Sequence, residues 1–437
     1  MRLTVLGCGY LGTTHAACMA ELGFDVLGYD VDAERIAQLS IGASPIYEDR
    51  LPELLAKHVA SGRLRFTTSV GEVAEFGDVH FLCLGTPQRP GRYEADLGQV
   101  WSAVDALVPL LRRPSVVVGK STVPVGTAAQ IAAAIAARAP AADDVDLVWN
   151  PEFLREGFAV EDTLHPNRIV VGVASDRPVG VIREVYARLV DTDTPFLVMD
   201  YETSELVKGA ANSFLATKIS FINAMAEICE AAGADITRLS EALSYDDRIG
   251  GRFLRSGLGF GGGCLPKDIR AFTARAEELG VADSVAFLKE VDAVNLRRRA
   301  RAVTVARELL GDPLDGKQVA VLGAAFKPDS DDVRDSAALE VASTLAGAGA
   351  RVVVYDPAAM ANAKRIHPEL DYADTLQDAV TGADAVLLLT EWAEFVRADP
   401  TELGAHVRER RILDGRNVLD PAAWRAAGWE FRALGRG

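Results

Sequence analysis

The sequence predicts an α/β protein in which two doubly wound parallel-sheet domains are joined by a central helical domain. Three observations carry this. Short β-type runs alternate with helical patterns over residues 1–200, residues 201–300 are almost strand-free, and the alternation resumes over residues 301–437. Strands that alternate with helices pair into a parallel sheet with helices on both faces.

In the first region Leu3-Thr4-Val5-Leu6 is a strand, followed by glycines and a helical stretch to Glu21. Val26-Leu27-Gly28-Tyr29-Asp30, Val79-His80-Phe81-Leu82-Cys83-Leu84, Val116-Val117-Val118 and Leu147-Val148-Trp149 are the next strands. A long helix is expected from about Glu202 to Ala232, and more helix from Asp268 to about Leu310. The second α/β region opens with Val319-Ala320-Val321-Leu322-Gly323, continues with a helix from Ser336 to Ala348, and has strands at Val352-Val353-Val354-Tyr355-Asp356 and Ala385-Val386-Leu387-Leu388-Leu389. Both regions read Val-Leu-Gly, then helix, then Tyr-Asp, which suggests two related nucleotide-binding lobes. Any two α/β units share some of this likeness.

At 437 residues the chain has room for two or three domains of ~100–200 residues each. Nearly half of it is hydrophobic (49%), enough for large cores, and its formal net charge is −16. An acidic chain with no basic tract is a poor binder of nucleic acid or of an anionic membrane, so neither is expected as a partner. An anionic small ligand remains open, because its site needs only a few local Lys and Arg. The five cysteines match no metal spacing, no metal is expected, and the thiols read as reduced ones in a cytoplasmic protein. The opening residues form a strand pattern rather than a secretory leader, and no apolar run approaches the ~20 residues of a membrane span.

Four segments carry chemistry. Gly7-Cys8-Gly9-Tyr10-Leu11-Gly12 joins a strand to a helix. Gly7 permits a tight turn, Gly9 lets the backbone approach a pyrophosphate, and Gly12 allows close helix–strand packing. Asp30 ends the next strand, where a carboxylate binds the adenosine ribose hydroxyls and repels the extra phosphate of NADP, so NAD is the expected cofactor. Such a dinucleotide site makes the first domain Rossmann-like. The second segment is Gly259-Phe260-Gly261-Gly262-Gly263-Cys264-Leu265-Pro266-Lys267-Asp268. Its glycines read as a backbone that a bulky ligand can approach closely. Pro266 suits the first turn of a helix. A helix N-terminus and a neighbouring Lys267 favour the thiolate of Cys264, a candidate nucleophile.

The third segment is Lys208 and Asn212, whose i, i+4 spacing puts both on one helical face. They are candidates for holding an oxygen that turns anionic, although the same spacing suits a solvated face. The fourth is Asn150-Pro151-Glu152-Phe153-Leu154-Arg155-Glu156, at the strand end where doubly wound folds place ligands. Its carboxylates read equally well as a general base or as surface loop groups.

Taken together, the chain resembles the UDP-glucose 6-dehydrogenase family, within the wider group of UDP-sugar and GDP-mannose dehydrogenases. The resemblance runs from Met1 to about Pro421. It rests on the segments above together with Lys120-Ser121-Thr122-Val123-Pro124-Val125-Gly126-Thr127, Asp247-Arg248-Ile249-Gly250, Phe253-Leu254-Arg255-Ser256-Gly257, Ala325-Phe326-Lys327, Arg334 and Asp414-Gly415-Arg416. It implies an N-terminal NAD-binding domain (1–200), a central helical dimerisation domain (201–300) and a C-terminal UDP-sugar-binding Rossmann-like domain (301–437). It also implies a homodimer, a nucleotide-sugar substrate, and oxidation of UDP-glucose at C6 through a thiohemiacetal and a thioester on Cys264.

Carried over position by position, the resemblance gives Lys208 and Asn212 the oxyanion and Asp268 the orientation of water and Lys208. Glu152 serves hydrolysis, with Thr122 helping to hold water. Gly7, Gly9, Leu11, Gly12, Asp30, Arg35, Thr86, Thr122, Glu156, Lys267 and Arg334 line the NAD site. Phe153, Leu154, Arg155, Phe253, Leu254, Arg255, Ser256, Gly257, Gly261 and Lys327 hold the nucleotide sugar, with Glu152, Lys208 and Asn212 also facing it. Arg248 reaches the substrate of a neighbouring subunit, and Arg416 the sugar or its phosphates. Gly263 departs from the Ser or Tyr common in the family before the cysteine. The competing expectation is a sibling enzyme acting on GDP-mannose or a UDP-N-acetylhexosamine. The run from Phe253 to Phe260 looks more like the UDP-glucose branch. A non-catalytic NAD-binding regulator would be expected to lack Cys264, Lys208 or Asp268, and all three are present.

Overall fold

The computed structural model describes residues 1–436. It divides into two compact units, residues 1–211 with 277–279, and residues 212–276 with 280 onward. No helix among the described residues is long and apolar enough to cross a membrane.

The first unit is built on eight strands: β1 (Arg2–Leu6), β2 (Asp25–Tyr29), β3 (Leu64–Thr67), β4 (Val79–Leu82), β5 (Ser115–Gly119), β6 (Val145–Trp149), β7 (Ile169–Gly172) and β8 (Phe196–Met199). Their order is β3-β2-β1-β4-β5-β6-β7-β8. All neighbours are parallel except β6 and β7, which meet antiparallel at Trp149 and Gly172. Strands β4, β5 and β7 are buried along their whole length, as expected where helices cover both faces of a parallel sheet. The chain order reverses between β1 and β4, and that switch point opens a crevice at the carboxyl ends of the strands.

The second unit carries β9 (Gln318–Leu322), β10 (Arg351–Tyr355), β11 (Asp371–Tyr372), β12 (Ala385–Leu388), β13 (Arg411–Asp414) and β14 (Glu430–Ala433), all parallel in the order β11-β10-β9-β12-β13-β14. This is the winding of β1 to β6 repeated, so the echo in the sequence corresponds to a repeated topology. Helices Ile236–Ser244, Leu265–Glu278 and Phe287–Leu310 also lie mainly in this unit, and no strand falls between residues 201 and 310. Helix Tyr201–Ala232 begins in the first unit and ends in the second.

The start of that helix is fixed to the first unit by three devices. The Tyr201 hydroxyl donates to the Leu147 carbonyl at 2.8 Å. Ser204 packs where a side chain on Gly172 would stand, only 2.1 Å from its hydroxyl. Glu205 accepts from the backbone N–H groups of Gly126 (2.7 Å) and Ala128 (2.6 Å), capping helix Thr127–Arg138. Lys208 follows one turn later.

The equivalent aspartates of the two sheets are used differently. Asp356, after β10, accepts on one oxygen from the N–H groups of Ala324 and Ala325 and from the Trp392 indole, and on the other from Ala358 and Ala359. Five donors saturate a carboxylate, which offers about four lone-pair sites.

Candidate active site

In the first unit the glycine loop takes the form its spacing predicts. Gly7 has φ +92°, and a Cβ on Gly12 would lie 1.7 Å from the Gly7 carbonyl oxygen, so neither position tolerates a side chain. At Gly9 a Cβ would meet nothing within 4 Å. The loop therefore leaves open space where a pyrophosphate would approach helix Tyr10–Glu21, and the cradle fits a dinucleotide. Asp30, 7% exposed, accepts from the Cys8 N–H at 2.8 Å and pairs with Arg35 at 3.1 Å. Thr86 and Thr122 follow β4 and β5 and are joined by a bond from the Thr86 hydroxyl to the Thr122 carbonyl (2.8 Å). Leu11 is half-buried in the glycine loop, and Glu156 lies in the loop after β6.

At the end of β6 the structure brings Glu152 and Lys208 together at 3.0 Å, both largely buried. Burial pushes the Glu152 carboxyl up, but the adjacent Lys208 ammonium outweighs it and holds the group below the usual range. The other Glu152 oxygen accepts from the Leu154 N–H at 2.6 Å. Phe153 lies beside both Lys208 and Arg168, whose guanidinium stands 3.8 Å from the ring centroid. Arg155 is committed to Asp162 through three hydrogen bonds of 2.6 to 2.9 Å. Sequence reasoning gave no role to Lys120, which donates to Asn150 at 2.9 Å and to the Tyr186 hydroxyl at 3.4 Å. Burial pushes this lysine down to about 8.

In the second unit Cys264 is exposed, whereas Cys8, Cys18, Cys83 and Cys229 are buried. Burial pushes the Cys18 and Cys83 thiols up to about 12, and raises those of Cys8 and Cys229 as well. Cys264 directly precedes helix Leu265–Glu278 and accepts there the first-turn bond from the Asp268 N–H at 2.9 Å. The positive end of a helix favours thiolate at that position. Asp268 is held from two sides. The Asn212 amide donates to one oxygen at 2.6 Å, and the Lys267 ammonium lies 2.5 Å from the other. Lys267 is thus committed to Asp268.

The glycines before the cysteine differ from expectation. They read as room for a ligand, but protein fills the space beside them. A Cβ would lie 2.2 Å from the Asn295 amide oxygen at Gly259, 2.2 Å from the Asp335 carbonyl at Gly261 and 2.7 Å from the Phe326 ring at Gly262. At Gly263 it would meet only the Arg334 guanidinium, at 2.2 Å, the far end of a flexible and half-exposed side chain that can move aside. These glycines let the loop pack closely against its own domain.

The remaining candidates divide by exposure. Leu254, Ser256 and Gly257 are buried, while Phe253 (φ +65°), Arg255 and Arg248 are exposed. Arg248 pairs with Asp246 at 2.7 Å. Lys327 lies against the Phe326 ring, and Arg334 pairs with Asp332 at 2.7 Å. Arg416 donates to the carbonyls of Leu389, Gly259 and Phe326 at 2.6, 3.1 and 3.2 Å and pairs with Glu391 at 3.4 Å.

Known proteins resemble this chain along nearly its whole length. Three models of the UDP-glucose/GDP-mannose dehydrogenase family match in succession: the NAD binding domain over residues 1–190, the central domain over 202–297 and the UDP binding domain over 320–421. A UDP-glucose 6-dehydrogenase of Rhizobium meliloti is 41% identical over the full length of both chains. The structure of a UDP-glucose dehydrogenase from Pyrobaculum islandicum matches with a TM-score of 0.91 at 39% identity, covering 100% of this chain and 98% of that one. A UDP-D-ManNAc dehydrogenase from Pyrococcus horikoshii matches with a TM-score of 0.87 at 27% identity, both chains being covered completely.

Proposed function

The chain belongs to the UDP-glucose/GDP-mannose dehydrogenase family, and from that premise we propose that it oxidises the C6 hydroxyl of UDP-glucose to a carboxylate, consuming two NAD. The observation that carries the mechanism is the exposed Cys264 at a helix N-terminus whose first turn holds the Asn212–Asp268 pair. Identity of 39–41% to relatives named for UDP-glucose, against 27% to one named for an N-acetylated sugar, favours UDP-glucose over the sibling substrates.

Bound NAD supplies the hydride acceptor for both oxidations. The thiolate of Cys264 adds to the C6 aldehyde, and its sulfur becomes bonded to the sugar carbon. Lys208 and Asn212, one helical turn apart, donate to the oxygen that becomes anionic. Asp268 fixes the Asn212 amide. Loss of a second hydride leaves a thioester, which water held by Glu152 and Thr122 cleaves to the acid and the free thiol. A three-part division near residues 200 and 300, into cofactor, dimer-contact and uridine diphosphate parts, is supported by the three family models over 1–190, 202–297 and 320–421. A homodimer is supported by helix Tyr201–Ala232, which exposes Phe214 (67%), Phe221 (49%) and Ile228 (58%) at seven-residue intervals, an apolar stripe that a second copy would cover. The free thiols suit a reducing cytoplasm.

The test is NAD reduction across a panel of nucleotide sugars. UDP-glucose is expected to give the highest kcat/KM, with two NADH per acid released. One NADH per product with an accumulating aldehyde would refute the four-electron reaction, and a better rate with GDP-mannose would move the chain to the sibling branch.

Cofactor choice gives a second test. Asp30 pairs with Arg35 at 3.1 Å, and a carboxylate at the end of the second strand of a dinucleotide fold would face the 2′-phosphate of NADP. Asp30→Asn removes that charge and releases Arg35. The ratio of kcat/KM for NAD over NADP should fall by about 10- to 100-fold, the size of one like-charge contact of roughly 1.4–2.8 kcal/mol. An unchanged ratio would take Asp30 out of its role.

A further inference from the structure

The segment from residue 245 to 264 has neither helix nor strand, and its stretch 254–262 is mostly buried. Buried backbone N–H and C=O groups need partners, and where no ladder supplies them side chains must. Here they come from buried polar residues. The Gly257 N–H donates to Asn223 at 2.9 Å, and the Gly257 carbonyl accepts from Arg298 at 3.3 Å. At Phe260 one side chain serves both groups. The Asn295 amide accepts from the Phe260 N–H at 2.7 Å and donates to its carbonyl at 2.9 Å, and Arg299 adds a second bond to that carbonyl at 3.0 Å. Asn295, Arg298 and Arg299 lie on one face of helix Phe287–Leu310, each no more than 3% exposed. Arg299 is itself anchored by Asp335 at 2.7 Å and by Glu340.

We propose that Asn295 is a positioning residue for the reaction: by gripping both polar groups of Phe260 it fixes the course of the loop that delivers Cys264. The inference rests on Cys264 being the nucleophile. Only a side chain that carries its donor and its acceptor on separate atoms at this reach can make both bonds, so aspartate or leucine would each lose at least one. An independent feature agrees. Gly259 has φ +91°, and its missing Cβ would lie 2.2 Å from the Asn295 oxygen, so any side chain at 259 would displace the clamp. The pair Gly259 and Asn295 acts as one device.

The experiment uses the full chain with Asn295→Ala, Gly259→Ala and the double variant. It reads kcat and KM for UDP-glucose, the Kd for NAD, and the pH profile of Cys264 alkylation by iodoacetamide. Asn295→Ala is expected to lower kcat about 10- to 100-fold, in line with a misplacement of about 1 Å at a reacting group, and to move the alkylation profile, while the Kd for NAD stays within about twofold. The double variant should be no worse than the worse single one, because the two changes break the same contact. If alanine at 295 does not fold, Asn295→Ser, which keeps one hydrogen bond, should show the same changes in smaller measure. Near-parental kcat with an unchanged alkylation profile in a folded 295 variant overturns the proposal, as do effects that multiply in the double variant. Cys264→Ala run alongside separates the two ideas. If it still makes acid, the nucleophile assignment fails; if it is inactive while a folded 295 variant is parental, the clamp alone fails.

Discussion

Replacing Cys264 with alanine is expected to abolish formation of the sugar acid, by at least about a thousandfold, while NAD and UDP-glucose still bind. An alcohol can lose a hydride without covalent help. An aldehyde must first become tetrahedral, and the thiolate provides that species. The other four cysteines offer no substitute: all are buried, and burial raises each of their thiols. Alanine at Cys18 or Cys83 should instead cost about 1–2 kcal/mol of stability, the cost of a small cavity, with a modest change of rate. Acid production and ligand binding measured for all five alanine variants decide the matter. Acid made at near the parental rate by Cys264→Ala would remove the thioester mechanism.

Lys208→Ala should have the next largest effect, and on two quantities at once. Removing the ammonium deletes a donor to the developing oxyanion, a loss of about 10²–10³ in kcat. It also leaves the buried Glu152 carboxylate without its partner at 3.0 Å, which costs about 3–5 kcal/mol of stability. The two effects are separable. Lys208→Met combined with Glu152→Gln removes both charges and should regain most of the stability but none of the rate. Because Lys208 holds the Glu152 carboxyl below its ordinary value, the pair's contribution is present above the unfolded-state value of about 4.3 and is lost as the pH falls through the lower folded one. Denaturation midpoints at pH 7 and pH 3 should therefore show the gap between parent and Lys208→Ala shrinking in acid. A double variant as unstable as the single one would show that the buried charge is not the cause.

The parts of the molecule that announced themselves in the sequence are those whose physics is local. Gly7 to Gly12 follow from a turn and a close helix contact, and Asp30 from its place at the end of β2. Strands β1, β4, β5, β9 and β12 are apolar runs buried on both faces. The strands left unnamed, β3, β7, β8, β11, β13 and β14, are short, and several mix charge into the run, as in Leu64-Arg65-Phe66-Thr67 and Arg411-Ile412-Leu413-Asp414. The cysteine loop reads as a candidate site from its own residues, but the close packing of its glycines does not, because the atoms beside them come from Asn295, Phe326 and Asp335, far away in sequence. Asn295-Leu296-Arg297-Arg298-Arg299 looks like a solvated helical face. Arg298 and Arg299 are buried because partners distant along the chain, Gly257, Glu230, Phe260 and Asp335, reach them. No periodicity reports such partners.

The saturated carboxylate of Asp356 bears on the order of events in the proposed reaction. With both oxygens taken by five donors of its own domain, Asp356 has no lone pair left for a ribose hydroxyl, so the proposed reaction would use the one glycine loop before Asp30 for both oxidations. Spent coenzyme must depart and a fresh molecule arrive while a half-oxidised sugar waits. A freely bound aldehyde could escape during that exchange; one bonded to the Cys264 sulfur cannot. In the proposed reaction the thiol would be a tether as well as a nucleophile, and the aldehyde should stay out of solution even when coenzyme is scarce.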